Sequence, residues 1–156
     1  MAFVDWIATW PGAVLLQRSG TAYLLVNAAH ILGVGMLVGA ILPLDLRLLG
    51  FFRRVPLGVI GPFLSRAAAT GLVLAVVTGL WLFTVKPAEY LGNEAFLWKL
   101  ALLLAALVNI VVQHRSGAFM RALIDGEPRT GVRLAAFCSA VLWLSVLVAG
   151  RWIGFV

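Results

Sequence analysis

The chain has 156 residues, 63% apolar and only 12% charged, with a formal charge of +6 and a mean hydropathy of +1.06. A soluble domain carries about 25% charged residues, and a core of this size cannot hide so much apolar surface, so the composition excludes a soluble globular domain and favours a chain solvated by lipid. The basic residues cluster at the ends of apolar runs, which reads as a topology signal rather than a nucleic-acid patch, and the single cysteine, Cys138, excludes an intrachain disulfide and any CxxC motif.

The N-terminal stretch MAFVDWIATW has no basic leader and no apolar run ending in small residues, so a cleaved signal peptide is not expected. Phe3, Val4, Ile7 and Trp10 can share one side of a helix, and Trp10-Pro11-Gly12 breaks the pattern. The expectation over residues 1–18 is a short amphipathic interfacial helix followed by a lead-in to the first span. It serves as an anchor or as a lid over a pocket.

Residues 23–42, YLLVNAAHILGVGMLVGAIL, form an uncharged run of 20 residues. At a rise of ~1.5 Å per residue it can cross a ~30 Å hydrocarbon core. It carries Asn27 and His30, and Pro43, Asp45 and Arg47 end it at an interface where Asp45 and Arg47 can pair. Tyr23, Asn27, Gly33, Val34 and Leu37 fall within about 60° of His30 on a helical wheel, while Gly35 and Gly39 lie roughly opposite. The GxxxG pair is therefore expected to be the packing seam, leaving the His30 face to line a pocket.

The second span covers about 64–85, with Ala67, Gly71, Ala75 and Gly79 forming a small-residue ridge at four-residue spacing. Thr70 and Thr78 can bond their own backbone, and Arg66 can snorkel. The third span covers about 96–114. Lys99, Ala106 and Gln113 share one face, and Asn109 lies about 40° beyond Gln113, forming a polar stripe. After a loop with a turn at Asp125-Gly126, the fourth span runs over about 134–153 and ends at Gly150-Arg151-Trp152. Arg47, Arg53, Arg54 and Arg66 flank the first loop, and Arg115, Arg121, Arg129 and Arg133 the third, whereas the middle loop balances Lys86 and Lys99 with Glu89 and Glu94. The positive-inside rule then puts loops one and three in the cytoplasm and both termini outside, in the bacterial inner membrane. Most of the tryptophans and both tyrosines fall at the outer interface in this topology, and only Trp143 lies deep. The predicted fold is all-α: one membrane domain, an antiparallel four-helix bundle with an N-terminal interfacial helix.

His30 is the leading candidate for chemistry. An intramembrane histidine suits a haem iron, a copper ion, a proton relay or a quinone contact, or simply a hydrogen bond to another helix. His114 is the only other histidine, which raises a bis-histidine haem b between spans one and three. The two lie on the order of 12 Å apart in depth at ~1.5 Å per residue, which favours an interfacial role for His114. Met36 and Cys138 are the other possible second ligands. Lys99 and Arg151 can snorkel, or can clamp an anionic group such as a haem propionate near His30. No Walker loop, GxSxG, HExxH or GxGxxG is present, so common soluble-enzyme chemistry is not signalled.

The segments NAAHILGVGMLVGAILPLDLRLLG, TGLWLF, YLGNEAFLWKLALL and AGRWIGF, together with Asn109, resemble a bacterial family of small four-helix membrane proteins known only as a domain of unknown function. The resemblance covers nearly the whole chain and implies fold and location without an activity. More remotely, His30 and Lys99 are similar by position to the membrane domain of copper-resistance D-type proteins and to the haem-binding membrane protoporphyrinogen oxidases. A second histidine at matching depth, as in the oxidase pattern, is missing. Three function classes follow: a haem- or metal-binding redox protein with His30 as ligand and Asn27, Lys99, Arg151 and His114 as further site candidates; a permeation protein for copper or a small solute; and a non-catalytic subunit, a homo-oligomer or the membrane partner of a redox protein. The inner half of the first span offers a permeation path only Met36.

Overall fold

The computed structural model describes residues 2–155, apart from the side chains of Ala2, Phe3 and Asp5, so the part of the expected N-terminal apolar face that falls on Phe3 lies outside the described residues. Eight helices follow in order: α1 (Ala2–Thr9), α2 (Pro11–Arg18), α3 (Gly20–Leu49), α4 (Leu57–Phe83), α5 (Pro87–Leu91), α6 (Glu94–Arg115), α7 (Ala118–Asp125) and α8 (Thr130–Trp152). No strand occurs among the described residues. α3, α4, α6 and α8, with 30, 27, 22 and 23 residues, are each long and apolar enough to cross a bilayer, which is the build of a multi-pass membrane protein.

The N-terminal segment is two helices rather than one. Pro11 has no N–H to donate, so it begins a new helix at its first position instead of merely breaking the old one. Ser19 then separates α2 from α3, and its Oγ accepts from Ala22 N at 3.2 Å as an N-cap. The Trp81 indole N–H donates to Gly12 O at 3.0 Å, and the Gln17 amide donates to Val85 O at 3.1 Å. These bonds tie α2 to the end of α4, at the end of the bundle that also holds α1 and α5.

α3 runs seven residues past its expected end. Pro43 is tolerated inside it, and the helix stops at Gly50, whose φ of 106° lets Gly50 N reach Arg47 O and Phe51 N reach Leu46 O at 3.0 Å. The extra turns are not left bare. Leu44 and Leu48 pack with Leu57 of α4, Phe119 and Leu123 of α7 and Ala136 of α8. α4 likewise starts seven residues early, because Gly58 and Gly61 allow α7 to approach: a Cβ on Gly58 would meet Leu123 O at 2.9 Å.

The seam between α3 and α4 is formed by Gly33 and Gly71. A Cβ on Gly71 would sit 2.5 Å from Leu37 N, and one on Gly33 2.7 Å from Ala75 N, so the two backbones touch. The expected seam at Gly35 and Gly39 is corrected: a Cβ at either meets nothing within 4 Å, and both glycines face outward. The helical wheel separated the two faces properly, but the small residues of α4 select the face that carries His30.

α8 packs against α3 on one side and α6 on the other, where Asn109 Nδ2 donates to Ala135 O at 3.1 Å. Leu37, Ala40, Ala68, Ala106 and Trp143 fill the centre. α4 and α6 approach each other mainly through side chains, with Ala68 and Ala106 in the same central cluster.

Candidate functional site

His30 stands on α3 where the small-residue ridge of α4 passes. Gly79 lets its ring lie flat against α4, since a Cβ there would be 3.0 Å from the imidazole Cε1. Nδ1 lies 2.9 Å from Ala75 O and 3.1 Å from Thr78 Oγ1. A carbonyl can only accept. Thr78 gives its own proton to Leu74 O at 2.6 Å, so its oxygen is an acceptor as well. Both partners therefore require a proton on Nδ1, which leaves the lone pair on Nε2. Nε2 makes no hydrogen bond among the described residues.

Lys99 enters this neighbourhood from the first turns of α6. Its stem packs on Gly150 of α8, where a Cβ would lie 3.4 Å from Cε. Its ammonium is within electrostatic reach of the His30 ring and forms no hydrogen bond or ion pair among the described residues. Asn27, one turn from His30 on α3, is half-buried, and its amide likewise makes no hydrogen bond among the described residues. Thr78 thus joins His30 through Nδ1, Asn27 lies one turn away on the same helix, and Lys99 is within electrostatic reach.

The remaining candidates lie apart. Arg151 follows Gly150 in the chain, but its guanidinium turns outward over the Phe155 ring, 4.6 Å from the centroid. His114 sits in the last turn of α6 at the α7 end, exposed, with Nδ1 donating to Ile110 O at 2.9 Å and its ring 4.9 Å from that of Phe119. A shared haem between His30 and His114 is not assembled, because the α6 turn that carries His114 belongs to the opposite end of the bundle. Cys138 is exposed. Met36 packs beside Gly71 in the α3–α4 seam. Among the described residues no three His, Cys, Asp or Glu side chains come together as a metal-binding group.

A second polar cluster was not expected. Asp45, 1% exposed, forms no ion pair with Arg47, which spends its guanidinium on Val55 O at 2.8 Å and Arg53 O at 3.4 Å across the α3–α4 loop. The Ser139 hydroxyl donates to the Asp45 carboxylate instead. Asp45 Oδ2, Ser65 Oγ and Gln113 Nε2 are buried without partners, and all three residues line one cavity of about 120 Å³ near the α7 end. The signals in the sequence are Gln113 on the Ala106 face of α6 and Asp45 one helical turn before the α3 terminus, where the nearby Arg47 suggests an interfacial ion pair instead.

No curated protein and no solved structure matches the chain at a significant level. A family model matches residues 3–156, nearly the full length, and its description is a family of unknown function. On that match the chain belongs to the DUF6644 family.

Proposed function

We propose that this protein is an inner-membrane haem b protein with an electron-transfer role, in which Nε2 of His30 would hold the haem. The four spans run antiparallel with both termini outside, as the distribution of basic residues favours. The observation that carries the reading is the fixed tautomer of His30. A ligating histidine typically donates its other N–H to a carbonyl, which holds the ring and raises its basicity. Here Nδ1–H is held by Ala75 O and Thr78 Oγ1, and Nε2 is free to bind.

The ligand count favours haem over a bare ion. Copper or zinc takes most of its ligands from the protein, whereas a porphyrin brings four and asks for one imidazole. Lys99 would face a propionate, and Asn27 would offer its amide to the same edge. Haem supplies one-electron chemistry when bound. The chain's part is to present the imidazole, place a cation by the anionic edge and keep water away. The likeness of His30 and Lys99 to haem-binding and copper-resistance membrane families is consistent with this reading at the level of two positions.

A permeation role gains polar groups at the α7 end, but Leu37, Ala40, Ala106 and Trp143 lie between those groups and His30 as a dry apolar layer. The role of a membrane subunit is favoured by one observation, the outward Gly35–Gly39 face, and predicts a crosslinked homo-oligomer that Gly39→Leu disperses. The haem reading is tested by purifying the protein in mild detergent from haem-replete cells and recording reduced-minus-oxidised spectra. Sharp bands in the wild type that disappear in His30→Ala are expected. A flat wild-type spectrum, or bands retained in His30→Ala, refutes it.

A further inference from the structure

The cavity at the α7 end is a different site from the His30 cluster and is built around a carboxylate. Asp45 is 1% exposed and Gln113 8% exposed, so both are withdrawn from solvent. One side of the carboxylate takes the Ser139 hydroxyl, and Oδ2 is left without a partner beside the cavity. No Lys or Arg among the described residues pairs with it. Arg47, two residues on, is committed to the loop carbonyls of Arg53 and Val55. A buried carboxylate in this state is costly unless a positive charge or a proton meets it. Ser65 Oγ and the Gln113 amide, also unpartnered, line the same space, as does His114. A half-turn of that amide presents its oxygen in place of its nitrogen. The other walls are apolar, among them Leu44, Leu72 and Ile110.

We infer that this cavity binds a small primary alkylammonium ion, with the ammonium against Asp45, Ser65 and Gln113 and the alkyl body against the apolar wall. Charge, hydrogen-bond count and size each point there. One carboxylate calls for one positive charge. Asp45 Oδ2 and Ser65 Oγ accept from two of the three N–H donors of a primary ammonium, and Gln113 accepts from the third once its amide is turned to present the oxygen. A hard metal ion would need about six oxygen ligands, more than these walls offer. A cavity near 150 Å³ holds a benzene-sized molecule, so about 120 Å³ takes roughly five or six non-hydrogen atoms.

The test uses the full chain purified in mild detergent, with n-butylammonium chloride as the probe. Thermal unfolding is followed against n-butanol, tetramethylammonium chloride and sodium chloride at matched concentration and ionic strength. A saturable rise in the midpoint with n-butylammonium is expected, weakened about tenfold or more in Asp45→Asn. Tetramethylammonium, which lacks N–H donors, is expected to be weaker, and n-butanol and sodium to have no saturable effect. An equal effect of butanol overturns the proposal in favour of a merely apolar cavity, and an equal effect of sodium overturns it in favour of an inorganic cation. No saturable effect of n-butylammonium leaves only protons and water as occupants and also overturns it. If Asp45→Asn does not fold, a lipophilic carbodiimide is used on the wild type, and the total modification of the peptide containing Asp45, as N-acylurea plus butylamide, is read by mass spectrometry. Saturable protection by n-butylammonium supports the site, and unchanged labelling overturns it. His30→Ala should bind the probe as the wild type does, so this outcome is independent of the haem spectrum.

Discussion

Replacing Gly71 with alanine adds one methyl group at the point where α3 and α4 touch. Its carbon would lie 2.5 Å from Leu37 N, 2.8 Å from Gly33 O and 2.9 Å from Met36 Cβ. Carbon contacts settle at about 3.5 Å or more, so the helices must separate by roughly 1 Å, and a gap of that size forfeits a quarter to a half of each neighbouring dispersion contact. Two of the three obstacles are backbone atoms, which cannot swing aside as a side chain would. Overpacking of this kind costs about 1–3 kcal/mol, and the upper part of that range is expected here. Gly35→Ala is the internal control, on the partner helix α3 but with open space around it. It should be neutral or stabilising, by up to about 1 kcal/mol of helix propensity. Reversible unfolding in mixed micelles of mild detergent and dodecyl sulfate, followed by circular dichroism, measures both. Equal stability of Gly71→Ala and wild type would refute the seam, as would a loss in Gly35→Ala matching that in Gly71→Ala.

Two further outcomes follow from groups outside the spans or at their ends. Arg47→Met should free the loop over residues 50–56 by removing the donor to Val55 O and Arg53 O, and trypsin should then cut after Arg53 and Arg54 about tenfold faster, with the bundle still helical. Burial and, next, the Tyr23 hydroxyl push the Tyr90 phenol up from its ordinary value near 10. Absorbance titration at alkaline pH should show Tyr90 ionising late, and Tyr23→Phe should bring it only part of the way back because burial is the larger cause. A raised phenol keeps its proton longer in the folded chain than in the unfolded one, so its contribution to stability is whole below about pH 10 and lost as pH climbs through the folded value. Titration of Tyr90 at the ordinary value would contradict this.

Apolar run length made the four long helices legible, because lipid demands it. Their ends were less so. α3 and α4 continue past Pro43 and start before Pro62, since α7 covers the extra turns, and a proline in a sequence looks the same whether its surroundings satisfy the freed carbonyl or not. The face of α6 shared by Ala106 and Gln113 turns inward, with Ala106 0% exposed and Gln113 buried two turns further on. The GxxxG seam was misassigned because a single helix cannot say which of its two small faces its neighbour will use. Only the complementary ridge of α4 decides, with Gly71 opposite Gly33 and Gly79 beneath His30. His30 was visible as an intramembrane ionisable residue. The proton on its Nδ1 was not, since it depends on Ala75 O and on Thr78 having already given its own proton away. Asp45 and Arg47, two apart, suggested a pair, but on a helix such neighbours point in different directions.

The glycine contact between α3 and α4 involves only residues up to Phe83. Its residues leave the ribosome ahead of those of α6. The first helical hairpin can therefore close on its own, and it carries His30 already pinned to Ala75 and Thr78. Lys99, Gln113 and Ser139 arrive later, on α6 and α8. Both polar clusters are split across that order of synthesis, with His30 and Asp45 in the early half and Lys99, Gln113 and Ser139 in the late half. Assembly can thus begin from a closed hairpin, and each polar cluster is completed only when α6 and α8 join it.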